Sequence, residues 1–318
     1  MWKSMQWRVP VVTLAVFGFV GSGPAQPPQQ QNFDNVKIQV TPVQKNIYML
    51  FGAGGNVTVQ VGADGVLLVD TEFEALVPKL MAEIRKLSNG PIRYIINTHV
   101  HPDHVGGNDA FFKMIPVNPD APLNIIAHSN VLNRMTAAPP DGVAGAPRNG
   151  YLGLPLDEYE KRFKDLHMNG EAVFIYHEAK AHTDGDSIVL FRGSDVVTTG
   201  DIFTPGSYPF IDIARGGSAL GEIDALNHIL ELTVPAHHQE GGTMVIPGHG
   251  RICDEADVVE FRDMVAIVEN RIQDAIKKGK TLDQVKASKP TADYDPEYGV
   301  NNADRFIEAI YKSLQDGK

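Results

Sequence analysis

Residues 98–104 read Thr-His-Val-His-Pro-Asp-His and follow directly on an apolar run, Arg-Tyr-Ile-Ile-Asn, at 93–97. This junction restricts the fold more than any other feature of the chain. A strand this apolar is covered on both faces and belongs in the interior of a sheet. Four metal-ligating side chains are therefore delivered together at a buried strand end. In extended backbone alternate side chains point the same way, so His99 and His101 converge on one position. Beyond Pro102, Asp103 and His104 turn toward a second position beside it.

Three further ligand types lie at the end of a predicted strand or in the turn after one: His182 in AHTDGD, Asp201 in VVTTGDIF and His249 in VIPGHG. Each turn contains glycine, which lets backbone come close to a crowded centre. Strand ends along one sheet edge are where α/β proteins gather sites from residues distant in sequence. His99, His101 and His182 make a neutral three-nitrogen site. Asp103, His104 and His249 make a second, with Asp201 placed to bridge. A divalent ion such as Zn2+ lowers the pKa of a bound water from 15.7 to about 7, and two ions about 3.5–4 Å apart clamp both the attacking and the leaving oxygen. The hard ligands Asp103 and Asp201 accept iron or manganese as well as zinc. Asp70, at the end of a strand abutting the metal loop, and Asp186, in the turn after His182, are expected to orient ligands from behind. In Asp184 and Asp186 a plain turn role competes with that reading. His128, His167, His177, His228, His237 and His238 fall outside the motif positions, and Cys253 reads as a small buried thiol.

The rest of the chain supplies a frame for these segments. Short β-branched runs near 36–40, 46–50, 56–61 and 65–70 predict consecutive antiparallel strands. Leu76, Leu80, Ile84 and Leu87 then mark one face of a helix. A second cycle follows, with strands near 124–127, 172–176, 187–191 and 195–199, a helix carrying Ile223, Leu226 and Leu230, and a strand at 244–246. Two such cycles predict an α/β fold of four layers, two mixed or antiparallel sheets stacked on each other with helices outside. Val258, Phe261, Val265, Val268, Ile272 and Ile276 mark a long amphipathic helix, and Phe306, Ile307, Ile310, Tyr311 and Leu314 another. Neither buries its apolar face alone, so both belong to one domain spanning 35–318. The stretch 139–155, rich in Gly and Pro, predicts an irregular loop that either connects or walls a site.

With HxHxDH at His99 to His104, then His182, Asp201 and His249, the chain resembles the metallo-β-lactamase superfamily over about residues 46–250. GGNVTVQV and the LLVDT that ends at Thr71 belong to the same resemblance. It implies an αβ/βα sandwich, two divalent metal ions and, for most members, hydrolysis. The bridging aspartate at Asp201 is similar to that of glyoxalase II, lactonases and many periplasmic members, whereas the best-known lactamases carry cysteine there. Those lactamases also place a lysine three positions on; here that residue is Thr204, and Arg215 is the nearest alternative cation. The implied activity is attack on a small ester, lactone or amide, with Asp103 orienting the nucleophile or handling its proton. β-Lactam hydrolysis and a metal-bearing accessory or relay role for periplasmic redox enzymes are the alternatives.

Composition adds a compartment and removes some partners. The formal charge of −11 repels nucleic acid and anionic lipid, which leaves a small molecule as the expected partner and RNA-processing relatives out of place. The single Cys253 permits no internal disulfide. Lys3 and Arg8 precede a short apolar run at 9–21, and Gly23 and Ala25 suit cleavage after Ala25. This predicts a signal peptide at 1–25, a disordered Pro/Gln spacer at 26–34, and a periplasmic or secreted protein with no stable membrane association. A cytosolic glutathione thioester would not meet it there. Cleavage takes the chain from 318 to 293 residues and the charge from −11 to −13, and removes Trp2 and Trp7, its only tryptophans. Protein purified from its own host is thus expected to show no indole emission on excitation near 295 nm; a tryptophan signal means that the leader was kept.

Overall fold

The computed structural model describes residues 32–137, 152–237 and 241–315. The expected signal peptide and most of the spacer and of the 139–155 loop lie outside them. A seven-stranded sheet carries β1 (Gln39–Gln44), β2 (Ile47–Phe51), β3 (Val57–Gly62), β4 (Gly65–Val69), β5 (Ile92–Ile96), β6 (Asn124–His128) and β7 (Asp157–Tyr159), in that spatial order. The first four are antiparallel and the last three join in parallel. The second sheet runs β12 (Met244–Ile246), β11 (Val196–Thr198), β10 (Asp186–Phe191), β9 (Glu171–Glu178) and β8 (Phe163–Met168).

Alternation along single strands shows how the layers stack. In β4, all five residues of which are buried, Leu67 and Val69 join Ile96, Ile126, Val189, Phe191 and Ile246 between the sheets. Val66 and Leu68 face the other way, onto Leu76, Leu80 and Ile84 at and within α1 (Val77–Leu87). In β10, Val189 and Phe191 face the first sheet, whereas Ile188 and Leu190 face α5 (Ala219–Leu232) and α6 (Glu255–Lys277). The result is the predicted αβ/βα sandwich. The last helix, α9 (Val300–Gln315), adds Phe306, Ile307 and Ile310 to that outer core.

Several details differ from the sequence expectation. The first strand begins at Gln39 rather than near residue 36, because 36–38 lead into the sheet without pairing. β6 belongs to the first sheet, not to the second cycle: its partner is β5, which it follows in parallel. β7 and β8 went unread because Asp-Glu-Tyr and Phe-Lys-Asp-Leu-His-Met lack the β-branched signature. β8 is an edge strand paired only to β9 and exposes every second residue. Phe33 and Asp34, expected in the spacer, belong to the fold. Phe33 packs its ring 5.2 Å from Phe73, and the Lys79 ammonium donates to the carbonyls of Phe33 and Asp34. The short helices α2 (Pro102–Val105), α3 (Asn108–Met114), α4 (Ser129–Thr136), α7 (Leu282–Ala287) and α8 (Asp295–Tyr298) also went unread, being too short to show a period.

Ile272 is fully buried in the outer core under α6, and Ile267 on the same helix is 41% exposed. Ile272→Ala is expected to cost about 2–5 kcal/mol of unfolding free energy and Ile267→Ala no more than about 0.5 kcal/mol. Urea unfolding followed by circular dichroism checks both.

Candidate metal centre

The C-terminal ends of β5, β11 and β12 and the turn preceding β10 meet at one edge of the sandwich. The seven ligand candidates arrive there in two groups, His99, His101, His182 and Asp201 in one and Asp103, His104 and His249 in the other, each with ligand atoms within 4.8 Å of one another. Asp201 lies between them. Its Oδ1 is 3.1 Å from His104 Nε2 and 3.4 Å from His249 Nε2, and its Oδ2 is 3.9 Å from His99 Nε2 and 3.8 Å from His182 Nε2.

A second layer of hydrogen bonds sets which nitrogen of each ring faces inward. Asp70 Oδ2 accepts from His104 Nδ1 at 2.7 Å and from the Thr98 hydroxyl at 2.7 Å, while Oδ1 accepts from the Thr98 N–H at 2.8 Å. Since the Thr98 hydroxyl gives its proton to Asp70, it accepts from His99 Nδ1, 3.0 Å away. Asp212 Oδ2 accepts from His101 Nε2 at 3.0 Å, and the Phe210 carbonyl accepts from His182 Nδ1. The atoms left to face inward are Nε2 of His99, His104 and His182 and Nδ1 of His101. Ring nitrogens turned on one another, as His182 Nε2 and His101 Nδ1 are at 2.8 Å, with His99 Nε2 buried and without a partner, form a donor set that fits divalent cations.

Charge is arranged to match. Burial holds the His99 imidazole well below its ordinary pKa and brings that of His182 down to about 4, keeping both rings neutral. Burial pulls His104 the same way, but the carboxylates of Asp201 and Asp70 overcome it and raise its pKa well above the usual value. His249 is likewise raised to about 9, against burial, by its bonds to Asp103 and Asp201. For Asp201 burial alone would raise the pKa; the neighbouring His104 overturns that and holds the carboxyl well below its usual range. Protons thus sit on His104 and His249, and any cation bound by those nitrogens would displace them.

Local backbone makes room for the cluster. A Cβ on Gly55 would lie 2.4 Å from His104 Cε1, and one on Gly248 2.0 Å from Asp201 Oδ1, so both positions require glycine. The Gly55 N–H donates to the Asp103 carbonyl at 3.3 Å and the Asn56 N–H to the Gly248 carbonyl at 2.7 Å, tying the β2–β3 turn to two ligand loops. Asp70 (φ 65°) and Glu72 (φ 58°) are left-handed, which costs a residue with a side chain about 1–3 kcal/mol. The surrounding bonds hold them there, Glu72 Oε1 accepting from the N–H groups of Ala53 and Gly54 at 2.9 and 3.0 Å.

Of the two expected orienting carboxylates, Asp70 touches a ligand and Asp186 does not. Asp186 accepts from the Thr183 N–H at 2.7 Å and the Thr183 hydroxyl at 2.6 Å, which spends both oxygens on the turn. The ligand it was expected to orient, His182, is held instead by the Phe210 carbonyl. Asp212 and Phe210 were missed in sequence. Asp212 lies in IDIARGG, where no local spacing ties it to His101. Arg215 donates to Asp212 Oδ2 at 2.7 Å and does not line the site. His128 and His177 stack on each other at 3.5 Å, away from both groups, and Cys253 is a buried thiol pushed up to about 12 by burial. Residues 152–153, at the end of the 139–155 loop, meet α3: the Leu152 N–H donates to Asp109 Oδ1 at 2.8 Å and the Gly153 carbonyl accepts from Asn108 Nδ2 at 3.1 Å.

Above the cluster opens a cavity of about 430 Å³. His101, Asp103, Asp201 and His249 form its polar side, and Pro102, Thr204, Ser207, Tyr208, Phe210 and Arg305 its walls.

A family model described as the metallo-beta-lactamase superfamily matches residues 50–250. The linear primary-alkylsulfatase of Pseudomonas sp. (strain ATCC 19151) is 36% identical in a match that covers 73% of this chain and 50% of that protein. Among solved structures, the stereoselective inverting sec-alkylsulfatase Pisa1 from Pseudomonas sp. superposes with a TM-score of 0.66 at 18% identity, covering 86% of this chain and 50% of that one. A metallo-beta-lactamase from Pontibacter korlensis gives 0.55 at 13% identity, covering 72% and 99%. These two likenesses bear on the fold alone. The chain spans about half the length of the alkylsulfatases it matches.

If Asp70 sets the inward nitrogen of His104 directly and that of His99 through Thr98, Asp70→Asn is expected to weaken divalent metal binding about 10- to 100-fold. Asp186→Asn is expected to lower the melting temperature with metal affinity unchanged. Competition against a chromogenic chelator separates the two.

Proposed function

The chain belongs to the metallo-beta-lactamase superfamily, and from that premise we propose that it is an exported, metal-dependent hydrolase of small esters, with the sulfate monoester of an alkyl alcohol as its leading substrate class. The observation that carries the reading is the paired cluster of candidate ligands on the floor of a cavity walled in part by Pro102, Tyr208 and Phe210. The 36% identity to a linear primary-alkylsulfatase supports the sulfate ester. Carboxylic esters, lactones and amides remain within reach of the same ligand array.

The residues divide the work as follows. His99, His101 and His182 would hold one ion, Asp103, His104 and His249 the other, and Asp201 would bridge them; zinc suits this nitrogen-rich set, and iron or manganese its carboxylates. Two such ions, when bound, supply a water-derived nucleophile near neutral pH and a Lewis acid for the ester oxygen. Asp103 is part exposed at the cavity floor, and its Oδ2 lies 3.3 Å from His249 Nε2. Burial would raise its pKa, but the His249 bond keeps it below the usual value, so it stays ionised to orient the nucleophile and take its proton. Asp70 and Asp212 hold the imidazoles still. Phe210, Tyr208 and Pro102 offer an apolar wall to an alkyl chain and exclude water from one side.

Thr204 stands where the cysteine-bearing lactamases place a lysine, and Arg215 is engaged by Asp212. Export to the periplasm or beyond rests on residues 1–25. Among the described residues no helix is long and apolar enough to cross a membrane.

Metal analysis of protein from its own host is expected to find two divalent ions per chain. Decyl sulfate turnover, followed by titration of released acid, should vanish on chelation and return with zinc. His104→Ala and Asp201→Ala should lower kcat by orders of magnitude while the far-ultraviolet spectrum keeps its shape. Turnover by metal-free protein overturns the reading. Faster cleavage of a lactone, a nitrophenyl ester or a chromogenic cephalosporin than of decyl sulfate overturns the substrate class. Full metal occupancy with no turnover on any of them points to the accessory role.

A further inference from the structure

Arg305, on the C-terminal helix α9, lines the cavity over the metal-ligand cluster although it lies more than fifty residues beyond the last ligand in sequence. We propose that Arg305 receives the negatively charged head group of the substrate, so that the cavity selects anionic molecules over neutral ones of the same shape; this rests on reading that cavity as the substrate site.

Three observations place the guanidinium for that role. Its helix is anchored at the next residue: Phe306 is buried and stacks on Tyr208 with ring centroids 5.2 Å apart at 18°. Tyr208 is itself fixed by a hydrogen bond from its hydroxyl to Asp295 Oδ1 at 2.9 Å. Second, the guanidinium carbon lies 4.3 Å from the centre of the Phe210 ring. Phe210 in turn stacks on the His101 imidazole at 5.7 Å and 17°, and its carbonyl holds His182. The cation is thus held one aromatic ring away from two metal ligands. Third, it is uncommitted. Arg134, Arg215, Arg251 and Arg271 each lie on a carboxylate, whereas among the described residues no ion pair engages Arg305.

The chemistry follows from the geometry. A guanidinium held over a ring face by its carbon still offers N–H groups at its edge, and that edge matches two oxygens of a sulfate or carboxylate. The contact with the Phe210 ring limits the rotamer freedom lost on binding, since the group already rests against it. Phe210 supplies apolar surface beside the cation, so a molecule with an anionic head and an alkyl tail meets both features in one cavity. Arg305 adds its charge on the approach side of the cavity, where an anionic head group enters.

The test uses metal-loaded enzyme and three eight-carbon probes: octane-1-sulfonate, whose C–S bond resists hydrolysis, octanoate, and neutral octan-1-ol. By calorimetry, Arg305→Gln is expected to raise the Kd of the two anions about 10- to 100-fold and that of octan-1-ol less than about twofold, with Arg305→Lys recovering part of the loss. A larger loss for sulfonate than for octanoate assigns the site to the sulfate type of head group, and the reverse assigns it to carboxylates. With octyl sulfate as substrate, Arg305→Gln should raise KM and leave kcat nearly unchanged. Equal loss for all three probes, or no loss for the anions, overturns the proposal. If the wild type cleaves no ester yet binds sulfonate through Arg305, the hydrolase reading fails and the anion site stands. If turnover is intact and the Gln variant binds sulfonate as the wild type does, the anion site alone fails.

Discussion

The site depends on the buried carboxylate of Asp70. At the end of β4 it turns into a left-handed conformation and accepts three hydrogen bonds, from the Thr98 N–H, the Thr98 hydroxyl and His104 Nδ1. Through these contacts one side chain fixes the chain direction where β5 ends, the tautomer of His104 and, by way of the threonine hydroxyl, that of His99. Those two imidazoles belong to different ligand groups, so a single carboxylate coordinates both halves of the cluster. Its burial at 1% exposure strengthens each bond, because water does not compete there.

Around that anchor the sandwich acts as a clamp. β4 and β5 come from one sheet, and β10, β11 and β12 from the other. The apolar layer between the sheets, with Val69, Ile96, Val189 and Ile246 close to the ligand-bearing ends, sets how near those ends approach. Close-packed interiors transmit small displacements, so the inter-sheet core is part of the site's geometry. Gly55 and Gly248 then permit contacts that a Cβ would forbid. The backbone bond from Asn56 to Gly248 closes the gap between the sheets at the cluster itself.

The helices behind the second sheet do more than cover it. α9 brings Arg305 to the cavity wall and sets Phe306 behind Tyr208, while the segment after Asp201 contributes Tyr208 and Phe210 to the wall and Asp212 to His101. Phe210 joins these layers, with its ring between Arg305 and His101 and its carbonyl on His182. A substitution there would disturb a ligand's orientation and the cavity wall together.

The sequence by itself determined the strand-ending motif at 98–104, the three later ligand turns, the division of the ligands into two groups, the four-layer fold and the outer helices with clear apolar periods. These are legible because side-chain period and ligand spacing are local properties of the chain. It did not determine that β6 crosses to the first sheet, that β8 exists, that Asp186 serves its own turn, or that Asp212 and Phe210 hold His101 and His182. Nor did it single out Arg305 over Arg215. Both are arginines in unremarkable surroundings, and only packing shows that Arg215 is spent on Asp212 while Arg305 lies over the Phe210 ring with no ion pair among the described residues. Hydrogen-bond partners and cavity walls are set by which distant elements come into contact, and that is decided by the burial of apolar faces against one another, which no short window of sequence records.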